Sequence, residues 1–409
     1  MPGETLAKKD PTRWLDTAFF EKVLRQGIND KNLTVEDLLL CVHANVGEHY
    51  ASTIYRANVQ YRSQGKIEPI ALIVKLVTSK VNKFADNSSF ENEVHQYRNV
   101  INPMQDLLKQ AGAENYELCP KLMFASAEPQ PVIVLEDVTP RKFETYKHLL
   151  NLENSKVIAA KLAKFHAASY CLNKDVTNKN LDNHSDGLFK EKPSEGVKFM
   201  EENFEIFADE LSKWNGFEKY SEKLFNLKPN FIKRGVEIFN QHNGNTSFKV
   251  LNHGDFHYNN MLVRLFADTT SVLDALFIDF QLSFWGSPAV DLFYLLYLVC
   301  DKETRENHKQ ELIYYYHQRF TETLRNVGHM GTPPTLFEIN SDLLKFGFLE
   351  VIIAACFMPF LFADYSAASS AIGCSQDAKA YRRQLYNNPQ YRELIEPLLP
   401  YFLHKGFLD

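Results

Sequence analysis

The chain has no run of about 20 apolar residues free of charge and proline, so a membrane-spanning helix is not expected. Leu292 to Val299 is too short to span, and Phe348 to Ala363 is interrupted by Glu350 and Pro359. Lysine and arginine form no dense block and the formal net charge is −6, which argues against a nucleic-acid surface. Cysteine is sparse: Cys41, Cys119, Cys171, Cys300, Cys356 and Cys374 show no CxxC spacing, as expected of reduced thiols in a cytoplasmic protein. Met1 to Trp14 carries charges and proline without an apolar stretch, so no secretory leader is expected. Internal repeats and low-complexity segments are also lacking. What remains, 409 residues with 45% hydrophobic and 23% charged content, has room for two lobes, each with its own core.

The richest stretch runs from Val250 to Leu296. It contains His253-Gly254-Asp255-Phe256-His257-Tyr258-Asn259-Asn260, flanked by short apolar runs, then Ile278-Asp279-Phe280-Gln281, then Gly286-Ser287-Pro288 and Asp291. The flanking runs read as strands, which puts Asp255 and Asn260 at the tip of a hairpin-like turn. A third strand delivers Asp279 at its end, 24 positions after Asp255. Phosphoryl transfer from a nucleotide needs a carboxylate for the attacking hydroxyl, and an oxygen ligand plus a second carboxylate for Mg²⁺. H-x-D-x-x-x-x-N followed by a strand-end D-F is the sequence form of that arrangement. Asp255 is then the base, and Asn260 and Asp279 are the metal ligands.

Each piece also has a plainer reading. Asp favours turns and caps, so a lone HGD says little; the ordered combination is what carries the signal. A zinc hydrolase using His253, Asp255 and His257 is a second metal reading, but no further His or Cys cluster completes its shell.

Taken in order, Thr12 to Leu40 reads as helices, with Asp16 and Thr34 ahead of apolar groups. Two strands follow, Thr53 to Tyr61 and Pro69 to Val77, joined by a turn at Gly65. Before them, Gly47, Ala51 and Ser52 are small enough to let backbone approach a phosphate, although the G-x-G-x-x-G pattern is absent. Lys75 lies in the apolar run IALIVKLV. An edge-strand lysine facing water accounts for it equally well when the strand is taken alone. The next helix tips the balance. Ser88-Ser89-Phe90-Glu91 reads as its capping box, and Phe90, Val94, Tyr97 and Ile101 form one stripe. Glu93 lies about 60° from Phe90 on the core-facing side, whereas Glu91 belongs to the cap. A core-side Glu meeting a strand Lys is the ion pair that positions nucleotide phosphates.

After Pro120 the strand Val132 to Leu135 leads into Glu136-Asp137-Val138. Extended backbone here, from Leu135 to Val138, can meet an adenine edge and also serve as a linker. The boundary is drawn there, giving a nucleotide-binding lobe over 1–137 and a helical lobe over 138–409. In the second lobe His166 lies on an apolar helix face, where a satisfied core histidine is the expected role. Phe199 to Phe239, His308 to Val327, Leu343 to Ala371 and Ala380 to Asp409 all read as helical.

This ordered set resembles the ecdysteroid kinase-like family, within the wider group of choline- and aminoglycoside-kinase-like phosphotransferases. The resemblance rests on Gly47 to Ser52, Ile73 to Lys75, Phe90 to Tyr97, Leu135 to Val138, Leu162 to Ser169, His253 to Asn260, Ile278 to Gln281 and Gly286 to Asp291. It implies an α+β, protein-kinase-like bilobal fold, with a small antiparallel-sheet N-lobe and a large, mostly helical C-lobe. It also implies O-phosphorylation of a small molecule with ATP and Mg²⁺, Lys75 and Glu93 anchoring the triphosphate, adenine on the backbone after Leu135, and Asp291 as structural support. His257 stands where related sequences often carry Trp. No A-P-E segment is present, which argues against protein substrates.

The expectation is therefore an ATP-dependent kinase acting on an alcohol, an ecdysteroid or another apolar molecule. A choline- or aminoglycoside-type kinase, a nucleotide-binding pseudokinase and a lipophile carrier are the alternatives. The complete set Lys75, Glu93, Asp255, Asn260 and Asp279 counts against a pseudokinase, and a carrier would not need it at all.

Overall fold

The computed structural model describes residues 12–42, 52–77, 87–112, 116–174, 187–189, 193–239, 247–267, 269–363 and 375–409. Its contacts divide the chain into two compact units, Met1–Thr78 with Pro120–Asp137, and Ser79–Cys119 with Val138–Asp409. The first unit is discontinuous in sequence, because Ser79–Cys119 groups with the second.

The first unit is an antiparallel sheet under one helix. The helix α1, Thr17–Ile28, starts where the Asp16 carboxylate accepts the Phe19 N–H at 2.9 Å, and it ends at Asn29 in the left-handed region. The strands β1 (Thr34–Val42), β2 (Ser52–Ser63), β3 (Lys66–Val77), β4 (Leu122–Ser126) and β5 (Val132–Glu136) lie in the order β1-β2-β3-β5-β4. Phe20, Val23 and Leu24 of α1 pack on Leu72, Val74, Leu76, Val132 and Val134. Strand alternation turns Lys75 to the other face, where its cross-strand partners are Ile54 and Ile133.

Thr34 to Leu40 corrects the helical expectation, because it forms β1. A short apolar run cannot be told from a helix by periodicity alone, and the decisive contact is distant: β1 pairs with β2 from Thr34↔Arg62 to Val42↔Tyr55. With a register shift between Val35 and Asp37, Val35, Leu38 and Leu40 pack on the core while Leu39 is exposed.

In the second unit α2 (Asn87–His95) continues through a π-helical turn, Gln96–Ile101, into α3 (Asn102–Gln110). The long helix α4, Leu152–Lys174, packs beside both α3 and the later helix Lys309–Asn326. Beyond β6 (Glu144–Thr145), four strands flank the motif residues: β7 (Val250–Asn252), β8 (Met261–Leu265), β9 (Val272–Phe277) and β10 (Phe284–Gly286). A second correction falls here. β7 pairs with β10, and β8 pairs with β9 and β6, so the loop from His253 to Asn260 joins two different sheets and is not the tip of a hairpin.

The single helix expected over Leu343 to Ala371 is also corrected. Leu336–Lys345 and Phe348–Cys356 are separate helices broken at Gly347, and Met358–Phe362 is a 3-10 turn carrying Pro359. Residues 364–371 lie outside the described residues. Among the described residues no single helix is long and apolar enough to cross a membrane, and Glu350 in the apolar pair is buried on Lys309 at 3.1 Å.

Candidate active site

The loop after β7 is held by its backbone. Gly254 has φ +81°, and a Cβ there would lie 2.1 Å from the Leu282 carbonyl oxygen, so only glycine fits. Beneath the loop lies Asp291, in the first turn of the apolar helix Ala289–Leu298 and fully buried. One carboxylate oxygen accepts the His253 N–H at 2.6 Å and the other accepts the Gly254 N–H at 3.0 Å. The first oxygen also meets His166 Nε2 at 3.1 Å, and His166 Nδ1 lies 2.7 Å from the Tyr316 hydroxyl. With Nε2 donating to Asp291, the His166 ring links that carboxylate to the Tyr316 hydroxyl. Ser169 Oγ accepts the Leu251 N–H at 3.0 Å, fastening β7 to α4.

The His253 ring is fully buried, and burial drives its pKa down against the pull of Asp291 and Asp255. Kept neutral, it reaches the Ile278 carbonyl with Nε2 at 2.9 Å and so ties the loop to the segment bearing Asp279. The Ile278 N–H donates to the Asn260 carbonyl at 3.0 Å, which brings the backbones of Asn260 and Asp279 to within one residue of each other. Asp279 is left-handed, φ 68° and ψ 63°, a conformation that costs a non-glycine residue energy and is found where geometry is imposed for function. After it, Phe280 is buried against Tyr97, Phe165 and His253 at centroid distances of 5.2, 6.1 and 4.9 Å. Asn92 on α2 donates to the carbonyls of Gln281 and Ser283, at 3.0 Å each.

Asp255 has a side chain 20% exposed. Asn260 Nδ2 donates to the Asp255 carbonyl at 2.9 Å and to its Oδ2 at 3.1 Å, and His257 Nε2 lies 3.4 Å from Oδ1. Burial pushes the Asp255 carboxyl up, but the charge and hydrogen bond of His257, then His253 and Asn260, outweigh it and hold the pKa below the ordinary value. Asp255 is therefore ionised at neutral pH. Burial lowers the His257 pKa, and Asp255 and Asp279 more than reverse that. The Asn259 N–H, which donates to His257 Nδ1 at 3.3 Å, works against protonation there.

With the amide nitrogen of Asn260 bonded to Asp255, its Oδ1 and the Asp279 carboxylate are the oxygen donors that would hold a cation here. Two hard oxygen donors suit Mg²⁺, which takes few protein ligands and completes its shell with phosphate and water. The zinc alternative fits less well. His253 is buried on Ile278, and no group of three His, Cys, Asp or Glu placed to hold a metal occurs among the described residues.

The remaining expected residues are described within their own units. Gly47 and Ala51 lie outside the described residues, and Ser52 begins β2 opposite Val77. Lys75 on β3 is buried at 8% exposure. Glu93 on α2 is buried while Glu91 is exposed, in keeping with the helix register read from the sequence. Leu135 pairs with Ile73; the Glu136 N–H donates to Lys121 and the Asp137 N–H to Ala71, so neither amide is available to an adenine edge. The Asp137 carboxylate is ion-paired with Arg56 at 2.7 Å. Asn92 and Tyr316 were not singled out from the sequence, and Ser169 was named only for its helix face and as one end of the stretch Leu162 to Ser169. Their work is to bond distant backbone or side chains, and no local pattern marks it.

No curated protein matches the chain. Among solved structures it is similar to APH(2″)-IIa in its gentamicin complex, with 14% identity and TM-score 0.42 over 93% of this chain and 98% of that one. It is also similar to the spectinomycin phosphotransferase APH(9)-Ia, solved with ADP and spectinomycin, with 11% identity and TM-score 0.41 over 90% and 99%. The ecdysteroid kinase-like family profile matches residues 46–329, well over half of the chain. The chain therefore belongs to the ecdysteroid kinase-like family, and its antiparallel sheet in the first unit and mostly helical second unit have the α+β make-up expected from its sequence.

Proposed function

We propose that this protein transfers the γ-phosphoryl group of Mg-ATP to a hydroxyl of an apolar small molecule, an ecdysteroid or a xenobiotic alcohol. The observation that carries this reading is the ionised, part-exposed Asp255, with an Asn260 N–H on one carboxylate oxygen and His257 beside the other. Such a carboxylate accepts a hydrogen bond from an incoming hydroxyl, aims its oxygen, and takes the proton as the bond to phosphorus forms. Asn260 through Oδ1 and Asp279 through its carboxylate would hold Mg²⁺, which neutralises charge on the phosphate oxygens. Lys75 and Glu93 are assigned to the α- and β-phosphates.

The apolar acceptor is supported by the aromatic side chains near the end of the second unit. Phe346 and Phe348 are core residues, while Phe357, Phe360 and Phe362 keep partly exposed faces. Tyr365 lies outside the described residues. Aromatic walls favour a lipophilic substrate. ATP consumption measured with hydroxysteroids, xenobiotic alcohols, choline and aminoglycosides tests this; turnover confined to the cationic acceptors would overturn it.

The phosphate assignment has its own test. Lys75→Met should reduce kcat/KM by ~10²-fold, with KM for ATP raised and kcat lowered, because the cation serves ground and transition states alike. Glu93→Gln should act in the same direction but less severely, and the exposed Glu91→Gln should leave kinetics close to wild type. Sensitivity at Glu91 instead of Glu93 would refute the assignment.

A further inference from the structure

We propose that His257 is a positioning residue for Asp255, donating its Nε2–H to the free carboxylate oxygen and thereby aiming the base at the acceptor hydroxyl. The role rests on the phosphotransferase reading above; the geometry behind it does not.

The argument begins with the tautomer. The Asn259 backbone can only donate, and it donates to His257 Nδ1 at 3.3 Å, so Nδ1 holds a lone pair and the ring proton of the neutral form sits on Nε2. That nitrogen lies 3.4 Å from Asp255 Oδ1, a long contact of the kind that tightens when substrate arrives. Asn260 Nδ2 approaches the same nitrogen at 3.2 Å. Since Nε2 carries a proton it cannot accept there, and the two hydrogens of the amide go to the Asp255 carbonyl and Oδ2.

With that bond made, each Asp255 oxygen has one internal donor, Asn260 on Oδ2 at 3.1 Å and His257 on Oδ1. Two donors on opposite oxygens fix the plane of a carboxylate that one donor would leave free to turn. His257 cannot replace Asp255 as the base, because its lone pair is occupied by Asn259 and its proton faces the carboxylate. Its side chain is 25% exposed beside the 20% exposed Asp255, so both border the space a hydroxyl would enter. A misplacement of about 1 Å can cost ~10²-fold in rate, so a carboxylate left free to turn is a poorer base.

The test uses the reach of three side chains. A glutamine amide nitrogen can take the place of imidazole Nε2, an asparagine nitrogen reaches only the Nδ1 position, and phenylalanine keeps the ring without a donor. His257→Phe and His257→Asn should lower kcat by ~10- to 100-fold with KM for ATP unchanged, and His257→Gln should recover most of it. Melting temperatures within about a degree of wild type would show that all three fold. The proposal is overturned if His257→Phe keeps wild-type kcat, if His257→Gln is as impaired as His257→Phe, or if the loss falls on KM for ATP. Nitrogen-15 NMR of the neutral ring gives a readout independent of activity. It should show Nε2 protonated, and that resonance should move in Asp255→Asn; a proton on Nδ1 would also overturn the proposal. If the wild-type protein phosphorylates no hydroxyl, the functional reading fails while the NMR result still decides the geometry.

Discussion

Replacing Asp255 with Asn should cut kcat by ~10²–10⁴-fold while Mg-ATP still raises the melting temperature of the protein. The substitution keeps the shape of the side chain and removes only the negative oxygen to which the proposed function assigns the hydroxyl proton. Asn260 Nδ2 then meets an amide in place of the carboxylate oxygen it now reaches at 3.1 Å, but its second contact, to the Asp255 backbone carbonyl at 2.9 Å, is retained. The loop is pinned from below through the N–H groups of His253 and Gly254, neither of which involves the Asp255 side chain. The chemistry should therefore fail without unfolding the site. Asp279→Ala should fail differently, because it removes an expected metal ligand at the end of the segment tied to Asn260 by the Ile278 N–H. In that variant the Mg²⁺-dependent part of the thermal stabilisation should shrink together with activity. Melting curves of both variants with ATP, with and without Mg²⁺, separate the roles. Loss of the metal-dependent shift in Asp255→Asn, with its retention in Asp279→Ala, would reverse the assignments and defeat the kinase reading of this loop.

What was legible is written in local spacing: a 3.6-residue period is enough to set Glu93 inward and Glu91 outward, as the buried Glu93 and exposed Glu91 show. What the sequence hid were partners distant along the chain. Nothing in Val250 to Asn252 says that its strand takes Phe284 to Gly286 as neighbour, and so the loop after it read as a hairpin tip. Leu38, Leu39 and Leu40 fit a helix until β2 supplies the ladder that makes them alternate. His166 was legible as a core histidine, and it is fully buried, but its bonds to Asp291 and Tyr316 lie 125 and 150 positions away. Asn92 stands next to a residue that was singled out, and its work on Gln281 and Ser283 is equally remote.

Asp291→Ala should destabilise the second unit by about 3–5 kcal/mol, the scale of several buried donors left without their acceptor. Its carboxylate is fully buried and accepts three donors, the N–H groups of His253 and Gly254 and the Nε2–H of His166. Alanine leaves all three unsatisfied in a place water does not reach, at roughly 1–3 kcal/mol for each if they acted independently. Repair from His166 is limited. Its Nδ1 is already bonded to Tyr316, and turning the ring over would leave the two backbone donors as they were. Asp291→Asn should cost somewhat less, since one amide oxygen still accepts a backbone N–H, but its NH₂ must then oppose another donor. Tyr316→Phe removes only the hydroxyl on the far side of the ring and should cost about 1 kcal/mol. Urea unfolding should thus rank the variants wild type, Tyr316→Phe, Asp291→Asn, Asp291→Ala in falling midpoint, with the activity of the two Asp291 variants lost as the loop slackens. If Asp291→Ala unfolded at the wild-type midpoint yet was inactive, the carboxylate would be acting in the chemistry and not as the brace of the loop. If it were both stable and active, the brace would carry no weight at all.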